Sequence, residues 1–308
     1  MKYLLKFALL GSTIIMAGTA WAADPLVDAA WVKDNIGKPG VVFIDFRPKA
    51  AYLRAHIPGA VHSQYGGPKS QWRIAKDGVP GVVKDPAEIG SHLGSLGIDN
   101  STHVVLVPNG KSSSDMGVGT RAYWTLQLLG HDEISILNGG MAAYLSAVDA
   151  NKKPTNPLEK GLAKPDAKAF KVSLRTEMLL SAEDVDAMSK KGVIMVDNRP
   201  ADQYLGVNKH GKSKSFGTIP GALNMSQGWM TKSGSGSFRD GSVLKKLYAA
   251  QGVPVSGEQV SFCNTGHWAS VGWFVSHEIL GNKQAKMYDG SMTDWTIKGK
   301  MVEQKIKY

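Results

Sequence analysis

The sequence predicts an α/β protein built from two similar halves, each a mainly parallel sheet with helices on both faces. Three observations carry this. Short apolar runs rich in Val and Ile alternate with helical patterns, which is the order a parallel sheet with crossover helices requires. Landmarks recur at a near-constant offset: Asp45 and Asp197 lie 152 residues apart, Gly97 and Gly252 155, and Gly130 and Gly281 151. A period of that size implies a duplicated domain, since solenoid repeats run about 20–50 residues. Between the halves, Asn151 to Lys168 is rich in Pro, Lys and Asn and has no apolar periodicity, so it reads as a linker.

In the first half, Val27 to Ile36 has helical periodicity with Trp31 on its apolar side. Val41 to Ile44 is a buried strand ending at Asp45-Phe46-Arg47, and a short helical piece spans Ala50 to Ala55. His56-Ile57-Pro58-Gly59-Ala60 turns into an extended segment at Val61. Gly66 to Val83 is a Gly- and Pro-punctuated excursion holding Trp72 and Arg73. Asp85 to Leu96 is an amphipathic helix, with Pro86 in its first turn and Gly97 past its end. Val104 to Val107 is a strand, Pro108 to Gly117 a polar loop, and Thr120 to Leu129 an apolar helix stopped by Gly130. Ile134 to Leu137 is a strand, and Asn138-Gly139-Gly140 turns into a helix over Met141 to Val148.

The plan then repeats. Ser181 to Ser189 is a helix whose Ser181 and Asp184 are spaced as a capping box. Val193 to Val196 is a strand ending at Asp197-Asn198-Arg199, followed by a helical piece, Ala201 to Leu205. Gly217-Thr218-Ile219-Pro220-Gly221-Ala222 answers the earlier Ile-Pro-Gly turn. Ser242 to Ala250 is a helix, Val260 to Phe262 a strand, and Ala269 to Leu280 a helix stopped by Gly281. Met287-Tyr288-Asp289-Gly290 leads into Ser291 to Trp295.

The N-terminus reads as a secretory signal. Lys2 and Lys6 form a basic region, Phe7 to Ala17 an apolar one too short to span a bilayer, and Ala20-Trp21-Ala22 a cleavage pattern. The expected division is therefore 1–22 signal, 23–150 first domain, 151–170 linker and 171–308 second domain, in an exported, periplasmic protein with no membrane span after cleavage. Of 308 residues, Lys and Arg number 36 and Asp and Glu 26, a net charge of +10, or +8 without Lys2 and Lys6. A basic surface suits anionic partners, but no basic helix interleaves with aromatics, which argues against nucleic acid. The histidines are dispersed and one cysteine cannot build a zinc centre, so no metal or other cofactor is expected.

That one cysteine, Cys263, ends the Val260 strand just before a short polar loop and a helix start. Ligands on parallel sheets bind outside the carboxyl ends of the strands. Backbone amides of such a loop and first helical turn favour negative charge, a setting that makes a cysteine a thiolate. In an exported chain a lone cysteine makes no internal disulfide, and its expected use is reactivity or intermolecular pairing. The first half has no cysteine; its matching strand ends at Val107-Pro108-Asn109.

Both halves resemble rhodanese domains, and the chain from residue 23 on resembles tandem-domain sulfurtransferases of the thiosulfate and mercaptopyruvate type. The resemblance rests on Asp45-Phe46-Arg47 with His56 to Ala60, on Asp197-Asn198-Arg199 with Gly217 to Ala222, and on Thr120-Arg121-Ala122-Tyr123-Trp124 with Asn138-Gly139-Gly140. It also rests on Tyr288-Asp289-Gly290-Ser291 with Trp295, and on the six-residue loop from Cys263 to Trp268. It implies a cycle in which Cys263 takes a sulfane sulfur from an anionic donor (thiosulfate, mercaptopyruvate or polysulfide) as a persulfide. The sulfur then passes to cyanide or a thiol, a protein thiol included. The backbone from Asn264 to Ala269 would cradle the persulfide.

The candidate substrate-binding residues are Asn264, Thr265, Gly266, His267, Trp268, Ala269 and Arg199. His267 is the loop's only ionisable side chain besides the cysteine, so it is the candidate cation or proton carrier; the alternative is a solvent-facing loop histidine. Arg199 has a competing structural use on Asp197. Gln203 stands where the family tends to carry an arginine, which leaves the loop short of cations. Trp31, Trp72 and Arg73 are candidates for the cleft, the two tryptophans with packing as the alternative. The basic stretch Val207 to Ser215 either recruits an anionic partner or is a hydrated loop. A phosphatase would need an arginine six positions after the cysteine; position 269 is alanine. A sulfur carrier or binding module without turnover remains the alternative function.

Overall fold

The computed structural model describes residues 23–307; the expected signal, 1–22, lies outside them. The first half runs β1 (Leu26–Val27), α1 (Ala29–Asp34), β2 (Val41–Asp45), α2 (Lys49–Arg54), β3 (Val61–His62), β4 (Arg73–Lys76), β5 (Val79–Val83), α3 (Pro86–Ser95), β6 (His103–Val107), α4 (Ser113–Leu128), β7 (Ile134–Leu137) and α5 (Gly140–Tyr144). The second runs α6 (Ala182–Lys190), β8 (Ile194–Asp197), α7 (Ala201–Leu205), β9 (Leu223–Asn224), α8 (Gly241–Ala250), β10 (Gln259–Phe262), α9 (His267–Phe274), β11 (Ala285–Met287) and α10 (Ser291–Ile297).

Each half is one parallel sheet. The orders are β1-β7-β6-β2-β3 and β11-β10-β8-β9, with every pairing parallel. The central strands β2, β6 and β8 are apolar along most of their length because both faces are covered. Successive residues of β6 show this: Val105 and Val107 join one apolar cluster with Val32, Phe43 and Tyr144, while Val104 and Leu106 join another with Trp124. That second cluster continues into the other half through Cys263, Val271 and Phe274. The two halves therefore share a core between α4 and α9. A third cluster, with Val185, Val260 and Trp295, backs the second sheet. Side chains of this size contribute roughly 1.5–3 kcal/mol each when fully buried, so the shared cluster fixes the halves against each other.

Local signals explain the element starts. The Ser181–Asp184 capping box forms on α6, and Asp85 caps α3 by accepting the N–H groups of Ala87 and Glu88. Two expectations are corrected. The excursion over 66–83 contains an antiparallel hairpin, β4–β5, whose tight connection at Asp77-Gly78 has positive φ at both residues (53° and 80°). The stretch read as a polar loop up to Gly117 is helical from Ser113, because Ser112 caps the Asp115 N–H. Its glycines do not break α4: a Cβ at Gly117 would lie 2.8 Å from the His267 ring. The glycine there is a contact surface for the other half.

Candidate active site

Cys263 is a free cysteine at the end of β10, 1% exposed. Its loop is held from below by the start of α10. The Cys263 and Asn264 carbonyls accept the N–H groups of Met292 (3.0 Å) and Thr293 (3.1 Å). Ser291 Oγ accepts the N–H groups of Cys263 (3.0 Å) and Gly266 (3.2 Å), donates to the Tyr288 carbonyl (2.8 Å), and lies 3.9 Å from Cys263 Sγ. Ser291 adopts φ +51°, a left-handed conformation that costs a non-glycine residue energy and marks a held position.

With two loop amides tied down, the remaining ones stay open. Among the described residues, the N–H groups of Asn264, Thr265, His267, Trp268 and Ala269 have no acceptor. They lie along the loop and the first turn of α9, where the helix dipole also favours an anion. The first half differs at the matching place. There, Asp115 Oδ2 takes the Lys111 N–H (2.9 Å) and the Asn109 side-chain amide (2.8 Å), which sets a carboxylate against the loop. The second half has no such carboxylate and leaves room for an external anion.

The cations come from the first half. Arg73 Nη2 donates to the Thr265 carbonyl (2.8 Å), its Nε to the Gly81 carbonyl (2.6 Å), and its guanidinium lies 5.2 Å from the Tyr65 ring centroid. Arg121 on α4 is fully buried and ion-paired with Asp289, whose other oxygen accepts the Val83 N–H at 2.9 Å. Arg121 Nε and Nη1 have no acceptor among the described residues. Nη1 lies where a Cβ on Gly266 would be, 2.0 Å from that position, so only glycine fits, and its φ is +74°. A buried, incompletely paired guanidinium thus sits directly beneath the loop. Cys263 opens into a cavity of about 460 Å³ walled by Tyr65, Arg73 and Ser114 from one half and by His210, His267 and Trp268 from the other.

Comparison with known proteins decides what this arrangement is. The rhodanese-like domain family matches twice, over residues 28–147 and 181–298. The chain belongs to the rhodanese-like family. A Mycobacterium bovis relative named "Putative thiosulfate sulfurtransferase 1" is 30% identical, over 92% of this chain and 98% of its own. Among solved structures, the 3-mercaptopyruvate sulfotransferase SseA from Escherichia coli is similar with TM-score 0.71 and 24% identity, covering 87% of this chain and 99% of that one. The anaerobic ergothioneine biosynthesis enzyme from Chlorobium limicola is similar with TM-score 0.71 and 20% identity, covering 92% and 71%. These two likenesses concern the fold.

Within this rhodanese-like pair, the candidate residues separate. Asn264, Thr265, Gly266, His267, Trp268 and Ala269 gather around Cys263, but not all as expected. His267 is not a cation. Its Nε2 lies 2.9 Å from the Ser114 carbonyl, which only accepts, so Nε2 carries the hydrogen and Nδ1 accepts from the Tyr65 hydroxyl at 2.8 Å. Burial, with the positive charge of Arg73 and Arg121, pushes its pKa from 6.5 down to about 3. Nor does it face solvent as a free loop side chain; it is a strut between α9 and α4. Trp268 is likewise tied across, its Nε1 donating to Ser114 Oγ at 3.0 Å.

Arg199 is corrected: it is 1% exposed, binds Asp197 through Nε and Nη2, and donates to the Gly217 carbonyl at 2.9 Å. Arg47 does the same with Asp45 and the Ala55 carbonyl in the half that lacks a cysteine. A pair repeated where there is no reaction centre belongs to the fold. Trp31 packs edge-on against His103 and Trp72 is buried, donating to Ser63, so neither enters the cleft. Arg73 does. Gln203 donates no charge but holds the loop, accepting from the Asn264 amide at 2.8 Å. Of the basic stretch, His210 reaches the cavity wall, while Lys209 folds back on the Ser213 carbonyl and Phe216.

Tyr65, Ser114, Arg121, Asp289 and Ser291 gained no role from sequence alone. Arg121, Asp289 and Ser291 stood inside motifs already singled out, but what they touch is set by the other half or by the chain returning after β11.

The neutral His267 has a measurable consequence. The unfolded chain takes up a proton below about pH 6.5 that the folded protein refuses until about pH 3, so the unfolded state binds more protons across that window. Stability is therefore fully present above about pH 6.5 and falls as pH drops towards 3. Urea unfolding of wild type between pH 7.5 and 5 should show this loss, and His267→Gln should flatten it. An unchanged slope in the variant would show that His267 is not held neutral.

Proposed function

We propose that this rhodanese-like protein is a sulfurtransferase that carries sulfane sulfur on Cys263. The observation that supports it most is the set of five loop and first-turn amides without an acceptor next to the only thiol, at a cavity with Arg73 on its wall. With thiosulfate, Cys263 Sγ attacks the outer sulfur. The donor's S–S bond breaks, its electron pair leaves on sulfite, and an Sγ–S bond forms. Cyanide or a thiolate then attacks that outer sulfur, and the Cys263 thiolate returns. The amides of Asn264 to Ala269 hold the persulfide anion, Arg73 draws the donor, and Arg121 with Ser291 keeps the loop in place. The name of the mycobacterial relative is consistent with this reading.

Turnover distinguishes an enzyme from a carrier. With thiosulfate and cyanide, wild type should release thiocyanate repeatedly and Cys263→Ser none. One equivalent of sulfur taken up without thiocyanate release would favour the carrier. Export is part of the same proposal, with Ala23 as the first residue after cleavage; protein recovered from its host should then have the mass of the chain from Ala23, and full-length mass would contradict it.

A further inference from the structure

The catalytic cavity has a neighbour. A second cavity of about 630 Å³ adjoins it, and Arg73, His210 and Thr265 wall both. The partition is built around Arg73. Its Nε donates to the Gly81 carbonyl (2.6 Å) and its Nη2 to the Thr265 carbonyl (2.8 Å). A Cβ on Gly81 would collide with that guanidinium, so the β4–β5 hairpin is shaped to hold it.

Beyond the partition the charge is of one sign. The wall of the second cavity carries Arg73, Lys84 and His210 and, among the described residues, no carboxylate. Asp115 walls only the catalytic cavity, where it holds the Lys111 N–H and the Asn109 side chain. Lys84 is paired with Glu88, which is 59% exposed; a pair so open to water holds little and yields to a ligand at small cost. His210 Nδ1 accepts the Lys212 N–H at 3.3 Å, so the neutral ring carries its hydrogen on Nε2 and is a donor. Burial, with Lys209 and Lys212 beside it, lowers its pKa and keeps the ring neutral. The framing stretches repeat the bias: 64–84 holds Lys69, Arg73, Lys76 and Lys84 against Asp77, and 207–216 holds Lys209, Lys212 and Lys214 against no acid. Such a cleft concentrates anions. It also offers apolar surface, from Pro68, Pro80 and Ile74, the last 41% exposed.

We infer that this annex receives the far end of the sulfur acceptor, and that the acceptor is a thiol with a carboxylate several bonds from its sulfur on an apolar stem. The inference rests on the sulfurtransferase reading and adds the acceptor's class. The acceptor's thiol loses its proton to solvent and its sulfur attacks the outer sulfur of the Cys263 persulfide. A new S–S bond forms, the Sγ–S bond breaks, and its electron pair returns to Cys263. The donor has left by then, so Arg73, with Lys84 and His210, holds the acceptor's carboxylate, and the stem lies along Ile74. Cyanide is too small to reach the annex.

The test uses chain length as a ruler. The full chain is loaded with thiosulfate, and kcat/KM is measured for 6-mercaptohexanoate against 6-mercaptohexan-1-ol, and for 3-mercaptopropionate against 3-mercaptopropan-1-ol. In the long pair the carboxylate should give at least about a tenfold preference, shrinking at high salt; the short pair, whose carboxylate stays in the catalytic cavity, should show a smaller one. Lys84→Gln should bring the long-pair preference down several-fold. The ratio is read within each protein, so differences in loading cancel, and the urea midpoint of the variant checks its fold. Equal rates for the long acid and alcohol, a preference as large in the short pair, or a long-pair preference untouched by Lys84→Gln would each overturn the inference while cyanide turnover upholds the sulfurtransferase reading. Failure of Cys263 to load at all would overturn both.

Discussion

Ser291→Ala and Ser291→Gly will slow sulfur loading of Cys263 to a similar degree while differing in stability. Both remove the hydroxyl that accepts the Cys263 and Gly266 N–H groups. Each buried amide so orphaned costs roughly 1–3 kcal/mol, and the loop escapes by shifting. A displacement of about 1 Å at a reacting centre is worth on the order of 10²-fold in rate. At φ +51° alanine keeps the left-handed penalty of about 1–2 kcal/mol and glycine does not. Unfolding should therefore rank Ser291→Gly above Ser291→Ala, with loading rates alike. Loading that tracks stability instead would mean Ser291 supports the fold without positioning the loop.

Arg73→Ala should raise the KM for an anionic donor by about 10- to 100-fold, with a smaller effect on kcat. Arg73 is the guanidinium on the cavity wall, whereas Arg121 is sealed beneath the loop. A hydrogen bond to a charged group contributes about 1.5–3 kcal/mol, and the arginine also braces the Thr265 carbonyl. Arg73→Lys should recover only part, because a lysine keeps the charge but cannot hold the Gly81 and Thr265 carbonyls together. Steady-state kinetics with thiosulfate at two salt concentrations checks this: the wild-type advantage should shrink at high salt. Equal KM values would remove Arg73 from donor binding.

How much of this was legible in the sequence follows from where the information sits. Strands and helices follow local apolar periodicity, so β2, β6, β7, β8 and β10 fall within a residue of expectation. The duplication also follows, because the Asp-x-Arg landmark and the glycines that end the helices recur at near-constant spacing. Cys263 stood out by being alone and at a strand end. The cations did not. Arg73 reaches Thr265 across 192 residues of chain and Arg121 reaches Asp289 across 168, and no local pattern encodes such a meeting. His267 shows the same limit. Its residue type suggested a cation, but Gly117 and Ser114 of the other half bury it and set its tautomer. Arg199 was misplaced for a different reason: the repeat itself, through Arg47 and Asp45, already held the correction.

The most direct test of the account is the intact mass of the protein after incubation with thiosulfate and removal of excess donor. The account predicts a gain of one sulfur atom, located at Cys263 by peptide mapping, lost on addition of cyanide and absent in Cys263→Ser. No gain with thiosulfate, mercaptopyruvate or polysulfide, or a gain that persists in Cys263→Ser, would contradict it.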